Sequence, residues 1–294
     1  MIKEIHDQIW QIDSGAPGPT VSISGGVHGN ERTGIEIVHR LVSQIEQGSL
    51  QISAGKLFTY IGNPKAVEMN KRGSSPHADL NRCFNDEFLA QADDSYEVSR
   101  AKLITPILHE VNVSLDIHAT NKPSEPMLFI SNLTQEHKQY YQWLDAEYII
   151  TDPAGVFSKV PLATDEYVHS YGGIGIGFET GQAQDTSKVD SVFQNVLNFL
   201  RYQNMLDDNT ITDKPNPDKK IIELQEKLLL TEDGFEWADG MGERSFQQYK
   251  QGDILGFVKG EPIIAKEDGM FIMPKIPEHW QVGKEVTYLA KKIN

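Results

Sequence analysis

The chain has 294 residues, 39% of them apolar and 23% charged, which suits a folded globular protein and excludes a disordered or membrane-embedded one. Lys and Arg total 27 against 42 Asp and Glu, a formal net charge of −15 that repels phosphate backbones and anionic bilayers, so no nucleic-acid and no membrane partner is expected. The one cysteine, Cys83, excludes a disulfide framework or a multi-cysteine metal cluster; with no apolar leader core in MIKEIHDQIWQIDSG, the expected compartment is a reducing cytoplasm.

In chain order, the run PTVSISGG predicts a short strand stopped by two glycines, and ERTGIEIVHRLVSQIEQG a helix with Ile35, Val38, Leu41, Val42 and Ile45 on one face. KLFTYIGNP predicts a strand ending in an Asn-Pro turn, and SYEVSRAKLITPILHEV a helix that Pro106 could kink. VNVSLDIHAT, PMLFISN and GIGIGFE predict three further strands, the last followed by a helix over SKVDSVFQNVLNFLRYQNML. DDNTITDKPNPDKK is polar and aperiodic and predicts a linker. Beyond it, IIELQEKLLL, GDILGFV, PIIA, GMFIMP and EVTYLAKKI predict β structure. The fold class expected is α/β, with a mixed, mostly parallel central sheet flanked by helices over residues 1–207 and a small β-rich C-terminal domain over 218–294.

Four segments carry candidate chemistry. In GGVHGNERTG, His28 and Glu31 stand three apart at a strand-to-helix turn, where an imidazole and a carboxylate could grip one ion; the plainer alternative is a helix-capping turn. In SLDIHAT, His118 lies near the C-terminal end of a strand, where α/β sheets place their sites, and Asp116 points to the same side and could orient it. Three protein ligands and one open position is the usual pattern of catalytic zinc, so His28, Glu31 and His118 together suggest a single zinc ion per chain. Glu179 ends the apolar strand GIGIGFE; it must pair, cap the next helix, or take a proton from water activated by a metal. In NPKAVEMNKRGSSPHADLNRCF, Arg72, Asn81 and Arg82 could fork onto a carboxylate, and an arginine near a metal could stabilise an oxyanion; a solvated loop is the alternative. Cys83 beside Arg82 reads first as a small buried hydrophobe rather than a nucleophile.

Together the motifs G-G-V-His28-G-N-Glu31, Asn63-Pro64, Asp79-L-Asn81-Arg82, Asp116-I-His118 and G-F-Glu179-T-G resemble the succinylglutamate desuccinylase/aspartoacylase family, a branch of the zinc carboxypeptidase-like fold, over about residues 20–200. The resemblance implies that His28, Glu31 and His118 bind zinc, with Asp79 and Asp116 supporting them. It implies that Glu179 is the general base, Arg72 polarises the carbonyl, and Asn81 and Arg82 hold a substrate carboxylate. Aspartoacylases carry an arginine shortly before the catalytic glutamate that reads the aspartate side chain; here His169 stands there. N-acetylaspartate is therefore not the expected substrate, and Tyr167, His169 and Lys159 become candidates for a different specificity. The expectation is a zinc-dependent hydrolase of the amide bond in N-acyl amino acids, acting on a small carboxylate-bearing molecule. A metallocarboxypeptidase for short or modified peptides and a non-catalytic carboxylate-binding protein are the alternatives. The oligomeric state stays open, a homodimer included.

Overall fold

The structure, a computed structural model, describes residues 1–76, 78–91, 95–208, 210–211 and 213–293. Asn209 and Thr212 of the expected linker, and Asn294 at the end of the expected second domain, lie outside the described residues.

The elements in chain order begin with β1 (Ile2–His6), β2 (Ile9–Asp13), β3 (Thr20–Gly25), α1 (Arg32–Glu46), β4 (Lys56–Ile61), α2 (Pro64–Met69), α3 (Asp86–Leu89) and α4 (Tyr96–Glu110). They continue with β5 (Val113–Thr120), β6 (Met127–Phe129), α5 (Lys138–Tyr141), β7 (Tyr148–Thr151), α6 (Thr164–Ser170), β8 (Ile174–Gln182) and α7 (Val189–Tyr202). The C-terminal strands are β9 (Lys220–Leu229), β10 (Phe235–Trp237), β11 (Gln248–Tyr249), β12 (Ile254–Val258), β13 (Glu261–Ile264), β14 (Gly269–Ile272) and β15 (Glu285–Lys292).

Twelve strands form one mixed sheet, in the order β1-β2-β4-β3-β5-β8-β6-β7-β9-β15-β14-β11. Its centre, β4-β3-β5-β8, is parallel, as strands joined by helical crossovers must be. The composition change near residue 207 does not end this sheet: β9 pairs in parallel with β7, and β15, β14 and β11 extend it. Among the described residues, only β10, β12 and β13 form a separate antiparallel sheet. The C-terminal segment is thereby anchored to the layer that carries the site.

Strand parity divides the two faces. Val113, Leu115 and Ile117 of β5 and Ile174, Ile176 and Phe178 of β8 join α1 and α7 in one large core. The alternate residues face the other way, where α4 and α6 build a second core with Phe58 and Tyr60. On that second face Ser114, Asp116 and His118 of β5 stand beside Gly175, Gly177 and Glu179 of β8. The two glycines leave room above the sheet: a Cβ at Gly175 would meet the Asp165 carbonyl oxygen at 2.1 Å, so the start of α6 can lie directly on the strand. Helix α4 runs through Pro106 over its full fifteen residues, with the Ser95 side chain accepting from the Val98 N–H at its start. Its Arg100 donates to the Gly62 and Ile61 carbonyls and fastens it to the end of β4.

His137, buried at 1% exposure, accepts a hydrogen bond at Nδ1 from the Thr134 N–H at 3.2 Å. Burial, with the neighbouring His169, lowers its pKa to about 4. The unfolded chain therefore binds one more proton than the folded one as pH falls from about 6.5 toward 4, and stability is lost in that window. About 2 kcal/mol of loss is expected between pH 7.5 and pH 5 from this group. Urea unfolding at both pH values should give a smaller pH difference for His137→Gln than for wild type; equal differences would remove His137 as the cause.

Candidate metal centre and its cavity

The site forms where the C-terminal ends of the parallel strands meet. After β3 the chain turns tightly into α1, whose first turn lies directly on β5: a Cβ at Gly34, inside α1, would lie 2.5 Å from the Ile117 carbonyl oxygen. This close approach sets Glu31, the residue preceding α1, against the end of β5. Glu31 then stands between two imidazoles, its Oε1 2.7 Å from His28 Nδ1 and its Oε2 3.0 Å from His118 Nδ1. One donor atom from each of the three residues lies within 4.8 Å of the others, and all three side chains are buried.

The far nitrogens of both rings are held by carboxylates, His28 Nε2 by Asp79 at 3.0 Å and His118 Nε2 by Asp116 at 2.9 Å. Asp116 is itself fixed by the Ser24 hydroxyl at 2.9 Å and the Thr164 hydroxyl at 2.5 Å. Asp79 also accepts from Arg72 Nη2 at 2.9 Å and from the Asn81 N–H at 3.0 Å. Carboxylates behind both histidines turn the Nδ1 atoms toward a common point.

The electrostatics fit a cation there. Burial alone would raise the carboxyl of Glu31, but His28 and His118 outweigh it and hold the group well below the usual carboxylate range. Burial would lower His118, but Asp116 and Glu31 hold it well above the ordinary imidazole value. Three carboxylates around two imidazoles demand positive charge, which two protons or one divalent ion can supply. Two histidines and one carboxylate are a donor set of catalytic zinc, whose ligand atoms stand roughly 3.3 Å apart around a tetrahedral ion. The residues present fit such an ion.

Glu179 follows from register. It lies beside His118 across β5 and β8, and its Oε2 is buried with no hydrogen-bond partner among the described residues. Burial first, then the negative charge of Glu31, pushes its carboxyl up to about 7. A buried carboxyl near neutrality with an unsatisfied oxygen is suited to proton exchange.

Arg72 arrives on the loop after α2. Asn70 ends that helix at φ +50, and Glu97 of α4 accepts from the Ser74 N–H at 2.9 Å, tying down the returning loop. Pinned by Asp79, Arg72 directs Nη1 to within 3.9 Å of Glu31 Oε1. Arg82 donates to the Asn81 carbonyl at 2.7 Å and lies over the Phe157 ring at 4.3 Å.

All these groups line one cavity of about 930 Å³, which contains His28, Glu31, Arg72, Asp79, Asn81, Arg82, His118 and Glu179 in its wall. Asp116 supports it from behind. Tyr167, His169 and Lys159, the candidates for a different specificity, are not among the residues that line this cavity. Tyr167 is buried in the second core, donating to Asp86 at 2.6 Å and bonded to His109, while His169 packs beside His137. Two groups of wall residues escape sequence reasoning. One is Asp165, at the start of a helix the periodicity does not reveal; the other is contributed by the C-terminal segment and includes Lys227, Glu285 and Tyr288 on strands and Lys275 between β14 and β15. Lys275 is paired with Glu285 at 2.6 Å. No local motif marks these positions, because only the long-range pairing of β9 with β7 brings them to the site.

The fold and its cavity define an α/β protein with a His-Glu-His centre at the C-terminal edge of a mixed sheet. The profile of the succinylglutamate desuccinylase/aspartoacylase catalytic domain matches residues 17–202, and the chain belongs to that family. A probable aspartoacylase from Nostoc sp. is 29% identical over 197 residues, covering 63% of this chain and 65% of that protein. A succinylglutamate desuccinylase from Erwinia tasmaniensis is 31% identical over 134 residues, covering 42% of this chain and 40% of that protein. The chain thus spans less than two thirds of the length of either relative. The crystal structure of succinylglutamate desuccinylase from Vibrio cholerae superposes with a TM-score of 0.77 at 17% identity over 98% of this chain and 86% of that one, a likeness of fold. Among the described residues, no helix is long and apolar enough to cross a membrane.

Proposed function

We propose that the protein is a zinc-dependent hydrolase that cleaves the amide bond of N-acyl amino acids. The observation that carries this reading is a His28-Glu31-His118 cluster beside a buried, unpartnered Glu179 oxygen in one cavity. When bound, the zinc ion supplies the charge that polarises an acyl carbonyl and lowers the pKa of water to about 7. Glu179 takes a proton from the water whose oxygen attacks the acyl carbon. Arg72, held in place by Asp79, offers Nη1 to the negative charge that develops on the carbonyl oxygen. As the C–N bond breaks, Glu179 returns the proton to the departing nitrogen, giving a carboxylic acid and a free amine. Asn81 and Arg82 hold the carboxylate of the amino acid, with the guanidinium kept in plane by stacking on Phe157.

His169 is packed beside His137 and offers no cation to a side-chain carboxylate in the cavity. N-acetylaspartate should therefore be a poorer substrate, by kcat/KM, than N-acetyl amino acids without an acidic side chain. Amine release from a panel of N-acetyl, N-succinyl and dipeptide substrates tests both points. Turnover confined to dipeptides would replace deacylation by peptidase action, and a strong preference for N-acetylaspartate would overturn the specificity.

A further inference from the structure

One wall residue has no role in the chemistry above. Asp165 opens α6, is 7% exposed, and lines the cavity. Its neighbours Glu166 and Asp116 are also buried carboxylates, but each is satisfied. Glu166 accepts from the Leu162 and Ala163 N–H groups and the Ser131 hydroxyl, and Asp116 from two hydroxyls and His118. Asp165 has no such support. Among the described residues no Lys, Arg or His stands within ion-pair distance of it; the more distant charge of His118 and its own backbone N–H are what favour its carboxylate.

Of the wall cations, Arg72 pairs with Asp79 and Lys275 with Glu285, while Lys227 and Arg82 donate to the Phe157 and Asn81 carbonyls; among the described residues none of these, nor Lys284, forms an ion pair with Asp165. Burial, with Glu166 and Asp116 nearby, pushes the Asp165 carboxyl up to about 8. A third buried carboxylate beside two others is stable only with a proton or a cation brought to it. Its position is fixed as well: the Asp165 backbone rests on Gly175, leaving no room for a Cβ between them. The preceding residue, Thr164, donates its N–H to Asn81 Oδ1 at 3.3 Å and its hydroxyl to Asp116 at 2.5 Å. Asp165 is thus adjacent both to the Asn81-Arg82 pair and to the support of His118.

We infer that Asp165 seats a cationic group of the substrate, so that the preferred N-acyl amino acids carry an ammonium on the side chain. This rests on the deacylase reading proposed above. The α-carboxylate then meets Arg82 while the side-chain ammonium meets Asp165, and the cavity reads a diamino acid by two opposite charges.

The test compares Nα-acetyl-L-lysine and Nα-acetyl-L-ornithine with their neutral counterparts Nα-acetyl-L-norleucine and Nα-acetyl-L-norvaline, on zinc-loaded wild type and Asp165→Asn. Wild type should favour the ammonium substrates by about 100-fold in kcat/KM, the effect of a desolvated charge pair. Asp165→Asn should lose that preference while hydrolysing the neutral substrates as before. Equal rates on both classes in wild type, or a preference that survives in Asp165→Asn, would overturn the inference and leave the deacylase reading standing. Failure to hydrolyse any of the four, together with no turnover of the N-acetyl and N-succinyl panel above, would instead sink the deacylase reading. In that event, titration calorimetry with L-lysine and L-norleucine decides on Asp165 separately. Binding of L-lysine alone, abolished in Asp165→Asn, supports the seat; no difference between the two amino acids overturns it.

Discussion

Glu179→Gln is expected to keep its zinc and to lose about 10³-fold in kcat. The amide is isosteric with the carboxyl, so the β8 strand, the His118 partner in register and the cavity wall are all retained. What disappears is a group able to accept a proton from water and return it to nitrogen. In the proposed reaction burial suits the carboxyl to that task, raising it to about 7 and leaving Oε2 without a competing donor among the described residues. Zinc content measured beside turnover separates this from damage to the metal centre. Wild-type turnover in a zinc-replete Glu179→Gln would remove Glu179 from the reaction.

His118→Ala is expected to abolish both zinc binding and turnover, and to weaken the fold. The imidazole sits between two buried carboxylates, Glu31 at 3.0 Å and Asp116 at 2.9 Å. Removing it leaves both without their shared partner, and breaking a buried pair in this way costs about 3–5 kcal/mol. Zinc would meet only His28 and Glu31, one ligand fewer than catalytic sites ordinarily use. Atomic emission and urea unfolding check the two effects separately. A His118→Ala protein holding zinc as wild type does would take His118 out of the ligand set.

Each piece of the centre is legible because its own geometry is local, while His118, 87 residues from Glu31, joins the set through the zinc ligand pattern and the resemblance of the motif series to the family. His28 and Glu31 flank a glycine-rich strand-to-helix turn, and the two-residue period of β5 places Asp116 behind His118 on one face. Glu179 was legible as the charged end of an apolar strand. What the sequence hid is set by distance and by a short helix. Helix α6 has seven residues, too few for a periodic signal, and an acidic residue in a first turn reads as a response to the helix dipole. Once the helix is known, its period sorts the residues. Tyr167 lies roughly 200° around from Asp165 and enters the core, and His169 is one turn further along, beside His137. The residues Lys227, Lys275 and Tyr288 reach the cavity because the main sheet continues past the polar stretch after residue 207, a pairing that composition does not encode.

The most direct test of the account is metal content against turnover in the same preparation. The purified protein should hold about one zinc per chain. Removal by a chelator should abolish amine release from N-acyl amino acids, and added zinc should restore it in proportion to the metal bound. Full turnover by protein stripped of its metal would contradict the account at its centre.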